Sequence, residues 1–179
     1  MKEGVRINHN RLFFCIKPII QGNTRSLVVL LLLLLMCGCR KHTLHHEYNS
    51  IRSGGWQPTD TLYYDIPITR TGIPTHLFLE VRHSNLYPYR DLNIAIESQI
   101  FPHDALAWPL KTQYVRYLLA NEHGEWLGKG SGSSFQQVHQ VGQMLFLYEG
   151  MMRVKVYHRM KEQTLLGIEN VGVRLSASR

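Results

Sequence analysis

Met152-Arg153-Val154-Lys155-Val156-Tyr157-His158-Arg159-Met160 alternates large, mostly apolar side chains with charged or polar ones. A period of two puts one set in a core and the other in water, the signature of a half-buried strand. The same period recurs outward from this stretch. Leu62, Tyr64, Ile66 and Ile68 alternate with Thr61, Tyr63, Asp65 and Pro67. Leu77, Leu79 and Val81 alternate with Phe78, Glu80 and Arg82. Leu92, Ile94 and Ile96 alternate with Asn93, Ala95 and Glu97. Thr112–Ala120, Gln143–Tyr148 and the Val171, Val173, Leu175 set complete seven or eight strands. Turn clusters lie between them, such as Asn121-Glu122-His123-Gly124 and Gly128–Ser134, and no segment carries an amphipathic helix pattern. The expected fold is all-β, an antiparallel β-sandwich of jelly-roll-like type, over residues 56–179.

Upstream the composition changes. Leu27–Leu35 is nine apolar residues in a row, too short to span a bilayer and well matched to the apolar core of a signal peptide. Lys2, Arg6, Arg11, Lys17 and Arg25 precede it. Behind it come Met36-Cys37-Gly38-Cys39. A small residue before a cysteine, after a leucine-rich run, resembles the lipobox of bacterial lipoproteins. Residues 1–38 are then a lipoprotein signal peptide, and Cys39 is the lipidation site and first mature residue, holding the protein on a membrane. Residues 39–55, polar and ending in Gly54-Gly55, read as a flexible tether.

That division changes the charge argument. The whole chain of 179 residues has 20 Lys and Arg against 13 Asp and Glu, a net +7. Five of the basic residues and one acidic residue belong to the leader, which leaves 15 against 12, or +3. No basic stripe survives, so a nucleic-acid partner is not expected. All three cysteines, at 15, 37 and 39, lie outside the expected domain, which must hold itself together without disulfides.

No catalytic constellation emerges, and neither an enzyme activity nor a cofactor is expected. His42, His45 and His46 could approach a metal ion, but lack the cysteine or carboxylate partners of an established site; no metal site is expected. Ser131, Ser133 and Ser134 with His139 lack the strand–elbow–helix context of a nucleophile. Asp60 with Asp65, or Glu122 with Glu125, read as solvated charges. The Arg153, Lys155, Arg159 row reads as solvated edge protection, or else as a contact for an anionic headgroup. Gly124–Gly132 packs Trp126 among glycines without the Gly-Lys-Ser/Thr ending of a phosphate loop. Tyr87, Tyr89 and Trp126 are the candidate partner-contact residues, because aromatics on loops are frequent anchors. The competing reading makes each a packed corner or plug.

Several segments together resemble the gliding-motility lipoprotein family GldH of Bacteroidetes-type bacteria. They are Trp56 before a strand, Arg82 with Tyr87-Pro88-Tyr89-Arg90-Asp91-Leu92, and Leu118–Ala120 with Gly124-Glu125-Trp126-Leu127-Gly128-Lys129-Gly130. Glu149-Gly150, Leu166-Gly167-Ile168 and Val171-Gly172-Val173 follow in order. His158 stands where the family has Gln, and Lys161 where it has Arg. The resemblance implies a membrane-anchored envelope lipoprotein of the gliding apparatus, with envelope proteins of the gliding or type IX secretion machinery as partners, and it supplies no catalytic residues. The Arg40-Lys41-His42 start, without an acidic cluster, points to the periplasmic side. The rival reading is a glycan-binding module, which would show a row of exposed aromatic rings.

Overall fold

A computed structural model describes residues 42–178; the expected leader and Cys39 lie outside them. Nine strands follow in order: β1 (Thr43–Ser50), β2 (Leu62–Ile68), β3 (Pro74–Ser84), β4 (Asp91–Pro102), β5 (Lys111–Leu118), β6 (Lys129–Ser131), β7 (Ser134–Leu145), β8 (Gly150–His158) and β9 (Ile168–Ala177). They form a five-stranded sheet, β1-β9-β3-β7-β6, and a four-stranded sheet, β2-β8-β4-β5. Every pairing is antiparallel. Leaving out the three-residue β6, this strand order is that of a jelly roll, so the expected sandwich is what the chain adopts.

The alternating residues build the core as expected. Leu77, Leu79 and Val81 of β3 and Val171, Val173 and Leu175 of β9 are buried in one cluster with residues of the other sheet. Those are Tyr64, Ile66 and Ile68 of β2, Leu92, Ile94 and Ile96 of β4, and Met152, Val154 and Val156 of β8. Two buried tyrosines stitch the sheets together. The Tyr64 hydroxyl donates to the Val171 carbonyl at 2.7 Å, and the Tyr117 hydroxyl donates to that of Leu79.

Three expectations need correction. Residues 43–50 are no tether: β1 pairs along β9 from Thr43↔Ser176 to Ser50↔Asn170. An edge strand faces little core, so its sequence carries no apolar alternation. The strand expected at Gln143–Tyr148 is in fact β7, ending at Leu145. Its apolar residues Phe135, Val138, Val141 and Met144 fall three apart, which hides the period. A bulge where Leu77 and Phe78 face Gly142 and Gln140 breaks it further. Finally, β8 is an inner strand between β2 and β4, so its basic row protects no edge. Arg153 forks onto Asp65 at 2.7 and 3.1 Å, Lys155 lies 3.7 Å from Glu97, and the Arg159 guanidinium stacks 4.7 Å from the Tyr114 ring centre.

Glu80 departs from its expected place in water. It points away from the core, yet only 2% of it is exposed. Its neighbours across the sheet cover it. The register places Tyr48, Gly172 and Glu80 in one row over β1, β9 and β3. A Cβ on Gly172 would press into the Tyr48 ring, so only glycine lets that ring lie flat across β9. Its hydroxyl then donates to the Glu80 carboxylate, joined by Arg174 Nε at 2.7 Å, Gln136 Nε2 at 3.0 Å and His46 Nε2 at 3.3 Å.

Strand directions sort the connections to two ends. The chain enters β1 at His42, whose carbonyl accepts from Ala177 at the close of β9. This proximal end also carries the β2–β3, β4–β5 and β7–β8 connections, while the distal end carries β1–β2, β3–β4, β5–β6 and β8–β9.

Candidate functional site at the distal end

The three expected contact residues meet at the distal end, around a histidine that sequence reasoning passed over. His83 ends β3 on its core-facing side and is fully buried. Its ring lies 4.5 Å from that of Trp126, 5.6 Å from Phe135 in a stacked pose and 6.1 Å from Tyr87. Tyr89 meets Tyr87 edge-on at 5.6 Å. Such tilted and edge-on contacts suit the quadrupoles of the rings. The only sequence signal for His83 was its parity with Leu77, Leu79 and Val81.

Tyr87 is not a contact residue. It is 1% exposed, and its hydroxyl donates to the Asp91 carbonyl at 2.7 Å, closing the β3–β4 corner. Gly167 allows the close approach: its φ is +83°, and a Cβ there would collide with the Tyr87 backbone nitrogen. The packed corner therefore wins at this position. Tyr89 and Trp126 are half-buried, and the Trp126 indole donates to Asn85 Oδ1 at 3.2 Å. Beside them Leu86, Leu127 and Leu166 stand exposed on three different loops. This end thus offers apolar side chains on a rigid aromatic base, an arrangement that suits a protein contact.

Burial holds the His83 imidazole below its ordinary range, aided by nothing from its own Nε2, which has no hydrogen-bond partner. Nδ1 sits 3.3 Å from the Ser84 carbonyl. A depressed folded pKa means that the unfolded chain takes the proton first. Stability is therefore present above the unfolded value near 6.5 and falls as pH drops below it. Each such histidine contributes up to about 1.4 kcal/mol per pH unit. Urea unfolding at pH 7.5 and 5.5 should show this loss, and His83→Leu should reduce it; an unchanged pH difference in the variant would count against the assignment.

The remaining candidates are dispersed. His45 and His46 are successive strand residues, so they point to opposite faces and toward different carboxylates, Glu47 and Glu80. Among the described residues, no three His, Cys, Asp or Glu side chains gather as a metal site. The Ser134 hydroxyl donates to Glu169 at 2.8 Å, while the His139 ring lies against Tyr117. Asp65 pairs with Arg153, and Glu125 accepts from Asn121 at 2.7 Å. The tryptophans form no exposed row: Trp56 is fully buried, Trp126 is half-buried and Trp108 is 36% exposed at the other end. An open cleft of about 340 Å³ lies among Asn93, Tyr114, Arg116 and Arg159. Arg116 is already paired there with Asp91 at 2.6 Å.

Comparison with known proteins gives this end its context. The chain is 23% identical over 158 residues to the gliding motility lipoprotein GldH of Flavobacterium johnsoniae, covering 83% of this chain and 93% of that one. Among solved structures, infectious bursal disease virus Gx strain aligns with a TM-score of 0.37 at 9% identity, over 75% of this chain and 30% of that one. The VP2 subviral particle of the same virus aligns at 0.30 and 13% identity, over 75% and 31%. Likeness at that level carries no argument about function. The GldH lipoprotein family matches residues 43–175, from the first strand through nearly all of the last. With that match spanning both sheets and the aromatic end between them, the chain belongs to the GldH lipoprotein family.

Proposed function

We propose that this protein is a non-catalytic interaction protein of the gliding apparatus, anchored in the cell envelope by lipid on Cys39. The observation that carries the reading is the family match across the whole sandwich, to a relative named as a gliding motility lipoprotein. The leucine run followed by Gly38-Cys39 supplies the anchor. One acyl chain holds a protein on a bilayer only marginally, whereas the two or three of a bacterial lipoprotein hold it durably. Confinement to the membrane then raises the effective concentration of the domain near other envelope proteins. Arg40-Lys41-His42, without acidic residues, favours the periplasmic face. The distal leucines with Tyr89 and Trp126 form the contact surface, and envelope proteins of the gliding or type IX secretion machinery are the partners it meets.

The test is a Cys39→Ala variant expressed in cells fed a labelled fatty acid. Label should vanish, and the protein should leave the membrane fraction. Photo-crosslinkers at Leu127 and at Tyr63 then address the partner. An envelope protein should be captured from Leu127 and not from Tyr63, on the outer face of β2. Persistent labelling of the variant, or equal capture at both positions, would defeat the respective half of the proposal.

A further inference from the structure

The proximal end carries an apolar surface that the distal contact site leaves unused. The β4–β5 connection reads His103-Asp104-Ala105-Leu106-Ala107-Trp108-Pro109-Leu110, and the β7–β8 connection reads Phe146-Leu147-Tyr148-Glu149. Leu106 is 91% exposed, and Leu110, Leu147 and Tyr148 are each at least half exposed. The two connections touch: the His103 amide donates to the Glu149 carbonyl at 2.9 Å. Pro74 and Gly72 join them to the sheet end where the chain enters. Ser178 donates to the Pro74 carbonyl at 2.7 Å, Gly72 donates to that of Phe146 at 2.8 Å, and Ala177 donates to that of His42 at 2.8 Å.

We infer that this end docks on the bilayer, with Leu106, Leu110, Leu147, Trp108 and Tyr148 entering the interface between headgroups and acyl chains. The inference rests on lipidation at Cys39, and the length of chain before β1 decides it. Because β1 begins at Thr43, only three residues separate Cys39 from His42, a span of at most about 11 Å. The 12 residues of β4 extend roughly 40 Å. A lipid on Cys39 therefore holds the proximal end at the membrane and keeps the distal end away from it. Trp and Tyr beside leucines are the residues that settle at this depth, since each ring has an apolar body and a polar edge. The charges at this end are Arg70, Lys111, Asp104 and Glu149, which cancel, so the attraction is apolar rather than a pull on anionic lipid. Docking orients the sandwich and turns the distal leucines toward other envelope proteins.

The experiment uses the full chain, purified from membranes and reconstituted in phosphatidylethanolamine–phosphatidylglycerol vesicles. Once the leader is removed and Cys39 is acylated, Leu106→Cys supplies a single free thiol for an environment-sensitive fluorophore. Leu166→Cys, at a distal position 55% exposed in the native chain, is the control. The expected result is flotation with the vesicles, a blue shift at position 106, and quenching of that label by nitroxide-bearing lipids, with neither change at 166. Flotation with an unquenched label at 106, or with equal quenching at both positions, would overturn the docking and leave the anchor standing. A chain that fails to float, or that takes label at Cys39 itself, would remove the anchor and the docking with it.

Discussion

Replacing Trp56 by alanine should remove about 4 kcal/mol of folding free energy, the largest loss expected from one side chain here. Trp56 precedes β2 and belongs to no sheet, yet it is fully buried. It closes the distal end between two connections. Its amide donates to the Leu165 carbonyl at 3.0 Å and its carbonyl accepts from Leu165 at 2.9 Å, while the indole donates to the Asp60 carbonyl at 2.8 Å. The ring meets His158 edge-on at 5.3 Å. Alanine would leave a cavity lined by backbone that those hydrogen bonds hold in place, so collapse could recover little. A domain of this size is stable by about 5–15 kcal/mol in all, so the variant should unfold at markedly lower urea. A loss below about 1 kcal/mol would mean that the distal end can repack around the gap.

Glu80→Ala is expected to cost about 3 kcal/mol, because it leaves the half-buried Arg174 and three further donors facing an empty acceptor. Glu80→Gln keeps the shape and should cost less. The two effects have different pH behaviour. Burial pushes the Glu80 carboxyl up, but hydrogen bonds from Tyr48 and Arg174, with the charges of His46 and Arg174, outweigh it and hold the group below its ordinary 4.5. The unfolded chain therefore takes up the proton first as pH falls. The charge-dependent stability is complete above the unfolded value and is lost as pH drops through the folded one. Denaturant unfolding of the wild type and Glu80→Gln should diverge most near pH 7 and converge toward pH 3. A constant difference would show that the carboxylate's charge contributes nothing. Tyr48 marks the alkaline side: burial and its bond to Glu80 push its hydroxyl up to about 12, so it keeps donating well above neutral pH.

The two ends divide the work between them. Lipid reach fixes which end meets the membrane, and the rigid sandwich carries that orientation to the loops opposite. A single strand at the edge therefore has a functional consequence. A 16-residue flexible tether would let the domain face any direction; β1 reduces the free chain to three residues and makes direction a property of the fold.

The sequence alone settled the all-β class, most strand positions and the core. Inward and outward side chains alternate with a fixed period of two, and in β2, β3, β4, β8 and β9 the inward set is apolar. The leader, the lipobox and the near-neutral charge of the remainder were equally legible, because they are properties of composition along the chain. Tertiary structure alone decided what depends on neighbours distant in sequence. It made β1 a strand by pairing it with β9, and it buried Glu80 under Tyr48, Gln136 and Arg174. It also gathered His83, Tyr87, Trp126 and Phe135 from three connections and two strands into one aromatic cluster. Burial of a polar group, and the company a side chain keeps, are set by register across strands, and one strand's own pattern carries no information about its partner's.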